Sequence, residues 1–253
     1  MDKVILITND DGIDAPGIGF LTSFLQDFGK IFVVAPETGM SGMGHAVTIK
    51  NPLRIKFLDS ADNIERYSIN GTPADCVKLA LDQIIKQKPD MIVSGINHGS
   101  NHSINILYSG TMAAAIEGAM QNIPSAGFSM CNHNPNIDLE FMRPYVKNIC
   151  MRLMQNGPTE NTCLNINFPN TDKPSGIKVC RQSIGYWDEA FDARLDVHKQ
   201  PYFWLKGDFV VNDTPEDSDE YALKNGFISI VPISLDLTAH KALERTRIQF
   251  QNL

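Results

Sequence analysis

The sequence predicts an α/β protein whose sheet is doubly wound and mostly parallel, followed by a β-rich C-terminal extension. Through the first two thirds of the 253 residues, short β-branched runs alternate with helical patterns, which is the rhythm of βαβ units. Beyond Asn170 this rhythm gives way to strand-like pieces between polar, acidic loops. We therefore expect one domain over residues 1–253, with a core at about 1–170 and the extension at about 171–253.

The first three elements form one βαβ unit. Apolar strands are predicted at Val4–Thr8 and Ile31–Ala35, with a helix at Pro16–Phe28 between them. Pro16 suits the first turn of that helix, and Gly29 suits its C-terminal cap. The apolar side chains of the helix recur at helical spacing, at Ile18, Leu21, Leu25 and Phe28.

The remaining elements follow from the same patterns. Residues Leu53–Phe57 and Tyr67–Ile69 alternate apolar and polar, which predicts a small antiparallel pair projecting from the main sheet. Helices beginning near Pro73, Thr111 and Glu140 complete the core, together with strands at Met91–Gly95, Ala126–Ser129 and Cys163–Phe168. Strand-like pieces of the extension lie at Ile177–Cys180, Tyr202–Leu205, Phe209–Val211 and Phe227–Pro232.

Composition narrows the set of partners. The net charge of −7 argues against tracking along a nucleic-acid polymer, which requires clustered Lys and Arg. The five cysteines form no C-x-x-C pair, as is typical of buried thiols in a reducing cytoplasm. The sequence opens with no signal-peptide pattern and has no run of 18 apolar residues. A cytoplasmic protein with no membrane partner is expected.

Three predicted strand ends carry oxygen-bearing side chains. The first strand is followed by Asn9-Asp10-Asp11-Gly12, the second leads to Ser41-Gly42, and the third ends at Asn97. Ligands of open parallel sheets bind beyond the carboxyl ends of the strands. Adjacent carboxylates repel each other unless a cation or a proton relieves them, so Asp10 and Asp11 are candidate metal ligands. Such an all-oxygen set suits Mg²⁺, Mn²⁺ or Ca²⁺ rather than zinc.

A simple turn and a zinc site are the two alternatives to this oxygen-ligand metal site. An isolated Asp-Asp-Gly is more often a polar turn with a helix cap, and only the coincidence of three strand ends favours a metal site. His98 and His102 have the H-x-x-x-H spacing of zinc ligands, but they lie in a segment rich in Gly, Ser and Asn. Exposure in a loop is therefore expected for this pair.

A candidate phosphate cradle lies at Ser109-Gly110-Thr111, directly before a helix of small residues. A helix start offers free N–H groups and partial positive charge, to which two hydroxyl groups are added here. Ordinary capping is the commoner explanation of such a segment. A metal beside a phosphate favours phosphoryl transfer to water, with Asp10 or Asp11 orienting or deprotonating the water. A covalent aspartyl intermediate stays open.

Long motifs spread over the chain resemble one family. They are I-T-N-D-D-G-I-D-A-P-G-I, V-V-A-P-E, G-T-P-A-D-C, S-G-I-N-H-G-S-N, Y-S-G-T-M-A-A-A-I-E-G and L-D-L-T-A-H. Together they resemble the SurE family, the survival-protein-E nucleotidases, from the first strand to His240. The resemblance implies a 5′/3′-nucleotidase, often also active on short polyphosphate, with a three-layer Rossmann-like core. It also implies a homodimer or homotetramer that exchanges C-terminal segments.

The resemblance also assigns roles to residues. It implies one divalent cation per subunit, Mg²⁺ or Mn²⁺ with Ca²⁺ able to occupy the site, held by Asp10, Asp11, Ser41 and Asn97. It implies phosphate contacts at Asn101, Ser109, Gly110 and Thr111, with Asn9 supporting the same site. Asp236 and His240 are expected to stabilise the subunit exchange. The chain departs from the family pattern at His102-Ser103, at Met112 and at Ser218-Asp219.

Two other classes place acidic residues after a first strand. Response-regulator receivers need a phosphate-accepting Asp after the third strand, where this chain has Asn97. Phosphatases of the haloacid-dehalogenase type use D-x-D, whereas Asp10 and Asp11 are adjacent. Both alternatives are disfavoured by these residues, and a phosphomonoesterase acting on nucleoside monophosphates is the preferred interpretation.

Overall fold

The computed structural model describes residues 3–157, 160–212 and 214–251. Within them the strands are β1 (Lys3–Thr8), β2 (Gly29–Pro36), β3 (Ile55–Ala61), β4 (Ile64–Ile69), β5 (Met91–His98), β6 (Ser125–Met130), β7 (Thr162–Phe168), β8 (Ile177–Val179), β9 (Gly185–Leu195), β10 (Pro201–Val211) and β11 (Ile228–Ser234). The α-helices are α1 (Pro16–Leu25), α2 (Pro73–Leu79), α3 (Gly110–Met120), α4 (Arg143–Asn156), α5 (Asp219–Lys224) and α6 (Leu243–Phe250).

The main sheet has nine strands in the order β3-β4-β2-β1-β5-β6-β7-β11-β8. The six strands from β4 to β7 in that order are parallel, β3 and β11 are antiparallel to their inner neighbours, and β8 is parallel to β11. The fold class predicted from the sequence is confirmed. The order in which successive strands are added to the sheet reverses at β1, because β2 lies on one side of β1 and β5 lies on the other. Open α/β sheets bind ligands at such a topological switch point.

Helices cover both faces of this sheet because its central strands are apolar on both faces. Ile5 and Ile7 of β1 pack on the face covered by α1 and α4. Val4 and Leu6 pack on the opposite face, against α2 and α3. Strand β1 is therefore packed on both faces, which fixes the position of the loop that follows its C-terminal end.

Several predicted elements have different limits in the structure. β3 and β4 are antiparallel as predicted, but β4 also pairs with β2 in parallel, so they form an edge of the main sheet and do not project from it. Helix α1 ends at Leu25, and a 3-10 turn over residues 26–28 leads to Gly29. β5 continues to His98, past the predicted end at Gly95, which carries Asn97 within the strand.

The C-terminal segment divides between the main sheet and a separate hairpin. β8 and β11 join the main sheet, whereas β9 and β10 pair only with each other as an antiparallel ribbon. The sequence predicted parts of β10 but not β9, whose charged residues hide the strand pattern. Helix α6 buries none of its residues in this chain. Among the described residues, no helix is both long and apolar enough to span a membrane.

Candidate active site

The turn after β1 is shaped by Asn9 and Gly12. The Asn9 side chain is fully buried, where its Nδ2 donates to the Gly12 carbonyl (2.9 Å) and its Oδ1 accepts from the Gly12 N–H (3.2 Å). Gly12 has a φ of +104°, a conformation that disfavours any side chain. This turn, held by the Asn9 side chain, presents Asp10 and Asp11 at the end of the strand.

The carboxyl group of Asp10 lies against the start of α3. Thr111 Oγ1 donates to Asp10 Oδ1 at 2.5 Å. A Cβ at Gly110 would come within 2.7 Å of Asp10 Cβ and 3.1 Å of Asp10 Oδ2, so only glycine permits this packing. The Asp10 carbonyl also accepts from Met40 N at 2.7 Å, which ties the loop carrying Ser41 to the same turn.

Burial changes the acidity of Asp10. Its side chain is 4% exposed. The pKa of Asp10 is raised to about 6: burial is the largest cause, the Thr111 hydrogen bond opposes it, and the neighbouring Asp11 charge adds to the rise. A negative charge at this position is therefore costly until a positive charge lies beside it.

Asp11 and Asn97 present oxygens from neighbouring strand ends. Asp11 Oδ2 is buried and has no hydrogen-bond partner among the described residues, and its nearest basic atom is His98 Nδ1 at 3.9 Å. Asn97 Nδ2 donates to the Gly99 carbonyl at 2.8 Å, which fixes the orientation of the amide. A register shift between Ser94 and Asn97 in the β5–β6 pairing turns this end of β5.

A cavity of about 480 Å³ opens at these strand ends, although Asp11 is not among the residues that line it. Ser41, exposed in the loop after β2, lines it together with Asp10 and Asn97. The rest of its wall is formed by Gly42, His98, Gly99, Ser100, Asn101, His102, Asn105, Tyr108, Ser109, His133, Trp187 and Phe209. The structure thus brings residues from all three predicted strand ends to one cavity.

The start of α3 forms one wall of this cavity. Ser109 is the N-cap of the helix, and its Oγ accepts from the Met112 N–H at 3.1 Å. Ser109 therefore has the ordinary capping role, and it also lines the cavity. The N–H groups of a first helical turn lack partners within the helix, so this end is suited to an anion.

Asn101 is fixed by a buried network that the sequence did not reveal. Its N–H donates to Asn167 Oδ1 (2.7 Å), and its carbonyl accepts from Asn165 Nδ2 (2.7 Å). Its own Nδ2 donates to Ser129 Oγ (2.8 Å). The available signal was the pair of asparagines spaced by two along the otherwise apolar β7, where buried polar groups need partners.

The prediction that His102 is exposed was wrong. It was expected to be exposed in a loop, but it is buried, with its Nδ1 2.9 Å from Ser100 Oγ and its ring edge against Phe209. Its Nε2 lies 2.6 Å from Glu220 Oε2, although the ring N–H is not aimed at that oxygen as in a regular hydrogen bond. Burial follows because α5 and β10, far along the chain, cover this segment.

The donor set at Asp10 and Asp11 fits a hard cation. Among the described residues, no group of three or more His, Cys, Asp or Glu side chains is arranged to hold a metal. The predicted ligands instead combine two carboxylates with a hydroxyl and an amide oxygen, which is the chemistry of Mg²⁺ and Mn²⁺ sites. The buried, unpartnered Asp11 Oδ2 beside the costly Asp10 charge is what such a cation would satisfy.

Known proteins resemble this chain over most of its length. The family model described as survival protein SurE matches residues 5–189. A protein named 5′-nucleotidase SurE from Flavobacterium psychrophilum is 49% identical over 245 residues, 95% of each chain. A protein of the same name from Cytophaga hutchinsonii is 49% identical over 243 residues, 95% of this chain and 94% of the relative.

A solved structure agrees with these sequence matches. The crystal structure of the SurE protein from Aquifex aeolicus matches with a TM-score of 0.83 at 35% identity, covering 97% of this chain and 99% of that one. The resemblance stated from the motifs is thereby confirmed. By sequence and by fold, the chain belongs to the SurE family.

Proposed function

We propose that this chain is an enzyme, a metal-dependent phosphomonoesterase that hydrolyses nucleoside monophosphates to nucleoside and phosphate. The observation that carries the proposal is the buried contact between Asp10 and the start of α3, which sets a carboxylate pair against an anion-binding helix end. The relatives named 5′-nucleotidase SurE support a nucleotidase activity.

Asp10, Asp11, Ser41 and Asn97 would hold one divalent cation per subunit. Mg²⁺ and Mn²⁺ fit this donor set, and Ca²⁺ shares its preference for oxygen. When bound, the cation polarises a phosphoryl oxygen and lowers the pKa of a bound water. Of the four proposed ligands, Ser41 is the one that is exposed, so packing restrains its position least.

The chain's own residues would bind the phosphate and orient the attacking water. Asn101 and Ser109 line the cavity, and we assign the amide of Asn101, the hydroxyl of Ser109 and the N–H groups of Gly110 and Thr111 at the start of α3 to the developing negative charge. Thr111 already occupies one oxygen of Asp10, whereas Asp11 Oδ2 has no partner among the described residues. Because that Asp11 oxygen is the one assigned to the cation, the water would be oriented by either Asp10 or Asp11, and trapping of an aspartyl-phosphate would identify a covalent route.

The organic half of the substrate would lie along an aromatic wall. Tyr108 and Trp187 line the cavity, and both also line an adjoining cavity of about 460 Å³. Trp187 Nε1 donates to Asn105 Oδ1 at 2.8 Å, which fixes the indole plane. Flat aromatic faces favour stacking of a nucleobase, and the two joined cavities leave room for 5′- and 3′-monophosphates or a short polyphosphate chain.

We further propose a homo-oligomer whose C-terminal segments are exchanged between subunits. The β9–β10 hairpin exposes Phe191, Phe203 and Trp204, and α6 leaves Ile248 and Phe250 exposed. Apolar groups in such numbers on a surface mark an interaction site. Asp236 and His240, 2.7 Å apart on the exposed connection to α6, would stabilise the exchanged position. Light scattering of the purified protein will give its subunit number.

Phosphate release tests the proposal directly. The purified chain is incubated with each 5′- and 3′-nucleoside monophosphate and with short polyphosphate, in Mg²⁺, Mn²⁺, Ca²⁺ or chelator. Release from monophosphates in Mg²⁺ or Mn²⁺, abolished by chelator, is expected. Equal release in chelator would exclude metal dependence, and a stable phosphoprotein without turnover would favour a receiver.

A further inference from the structure

Three consecutive residues of the loop after β5 are each tied to a distant segment of the chain. Asn101 is held by β7, His102 contacts Glu220, and Ser103 N donates to Asp219 Oδ2 at 2.8 Å. The last two ties reach α5, more than a hundred positions away. The two residues that follow Asn101 are therefore attached to a helix outside the cavity.

Asp219 is the centre of this attachment. Its side chain is fully buried, and its Oδ1 accepts from the N–H groups of Ser183 (2.9 Å) and Glu220 (2.8 Å). With Ser103 N on Oδ2, three backbone N–H groups converge on one carboxylate. Hydrogen bonds to an ionised acceptor are about twice as strong as neutral ones. A buried charge without such partners would be costly, so the three bonds are needed together.

Ser103 has a backbone conformation that calls for such a restraint. Its φ is +54°, a left-handed conformation that is uncommon for residues other than glycine. Its Oγ also donates to the Ser183 carbonyl at 3.0 Å. The Asp219 carboxylate thus fixes the loop at the point where its backbone is least favourable, two residues after Asn101.

Glu220 provides a second tie beside the first. Its Oε2 lies 2.6 Å from His102 Nε2, and its Oε1 lies 2.8 Å from Lys224 Nζ within α5. His102 in turn contacts Ser100 Oγ at 2.9 Å, so both ring nitrogens face protein groups. Because both ring nitrogens are already in contact with protein groups, the arrangement suits positioning of the loop rather than proton transfer.

We propose that Asp219 is a positioning residue for catalysis: through Ser103 N–H it holds Asn101 at the substrate phosphate, with Glu220 and His102 as the supporting contact. The inference rests on the proposed function of Asn101. Ser218 and Asp219 do not line the cavity, so this positioning role is the first that the structure offers for their turn. A displacement of about 1 Å at a binding group is enough to cost about 10²-fold in rate.

Asp219→Asn tests the inference, because the amide keeps the size of the side chain but replaces one acceptor oxygen with a donor. At least one of the three N–H groups then loses its acceptor. We expect kcat/KM for a nucleoside 5′-monophosphate to fall by about 10- to 100-fold. The control is Asp217→Asn, which makes the same change at an exposed carboxylate 3.2 Å from Arg181. Its kcat/KM should stay within about 2-fold of wild type.

A double-mutant cycle with Asn101→Ala separates positioning from general damage. If Asp219 acts through Asn101, Asp219→Asn will have little further effect on kcat/KM in the Asn101→Ala background. Equal effects in both backgrounds would overturn the inference while leaving the role of Asn101 intact. A normal kcat/KM in Asn101→Ala alone would remove the proposed phosphate contact, and the positioning role with it.

A second variant keeps the test decisive if Asp219→Asn does not fold. Glu220→Gln retains the shape of α5 and weakens the contact with His102, so a smaller fall in kcat/KM is expected, again absent in the Asn101→Ala background. A fall in melting temperature with unchanged kcat/KM would show that α5 only stabilises the fold, and would contradict the proposal.

Discussion

Thr111, at the start of α3, donates its hydroxyl hydrogen to Asp10 at the end of β1, although 101 positions separate them in the chain. The contact joins the two halves of the proposed chemistry, the metal-binding carboxylates and the anion-binding helix end. Any change that moves α3 relative to β1 therefore alters both halves at once.

Asp10→Asn and Asp11→Asn are expected to lower phosphate release by about 10²-fold or more while leaving the fold intact, because each removes a carboxylate from the proposed cation site. In chelator, the melting temperature of Asp10→Asn should equal or exceed that of wild type, since a costly buried charge is gone. Mg²⁺ should raise the melting temperature of wild type more than that of either variant. Asp14→Asn, at an exposed carboxylate after the same turn, is the control. Near-normal turnover in either site variant would contradict the assignment.

Gly110→Ala is expected to abolish turnover and to destabilise the fold by about 1–3 kcal/mol, the usual cost of overpacking. The added methyl group would meet the Asp10 side chain at 2.7 Å. Gly19→Ala is the matched control, since a Cβ there meets nothing within 4 Å. In the middle of α1 that change should be stabilising by about 0.5–1 kcal/mol. Urea unfolding and phosphate release measure both effects, and an active Gly110→Ala enzyme would show that this packing is dispensable.

Ser109→Ala is expected to weaken phosphate binding more than metal binding. The change removes the hydroxyl group at the proposed anion site and the cap that accepts from Met112 N. Loss of the cap alone costs about 1 kcal/mol of stability. The inhibition constant of orthophosphate and the Mg²⁺ concentration for half-maximal activity are measured together. A larger change in the Mg²⁺ requirement than in phosphate inhibition would reverse the assigned roles.

Trp187→Ala is expected to raise KM for nucleoside monophosphates by about 10-fold, because base stacking on an aromatic ring contributes about 1–3 kcal/mol. KM for glycerol 3-phosphate, which has no ring, should be unchanged. Phe57→Ala is the control, since Phe57 is an exposed aromatic residue on the edge strand β3, away from the cavity wall. Equal effects of Trp187→Ala on both substrates would exclude a base-binding role.

The lowered pKa of Glu220 predicts that the folded protein loses stability in acid. The close contact with His102, followed by that with Lys224, lowers the pKa of Glu220 to about 2 from an ordinary value of 4.5, against the opposing effect of burial. A lowered pKa means that the folded state binds fewer protons, so this contribution is complete above about pH 4.5 and is lost as the pH falls towards 2. The unfolding free energy of Glu220→Gln should therefore change less between pH 5 and pH 3 than that of wild type. Glu216→Gln, at an exposed carboxylate on the preceding loop, should behave as wild type.

Much of the architecture was predictable because periodicity reports how each segment is buried. The apolar runs at β1, β2 and β5 and the helical spacing of α1 predicted their elements directly. The pairing of β9 with β10 was not predictable, since alternating charges along β9 match no single buried face. The attachment of β4 to β2 was missed for a related reason: a strand pattern does not say which neighbour it will join.

The sequence by itself determined the order of strands and helices, the family, and the residues of the candidate site that follow strand ends. Local patterns and contiguous motifs carry that information. Only the tertiary structure decided that Gly110 packs on Asp10, that Asn167 holds Asn101, and that Asp219 holds Ser103. These contacts join residues at least 66 positions apart, and they depend on strand register and helix packing, which no single segment specifies.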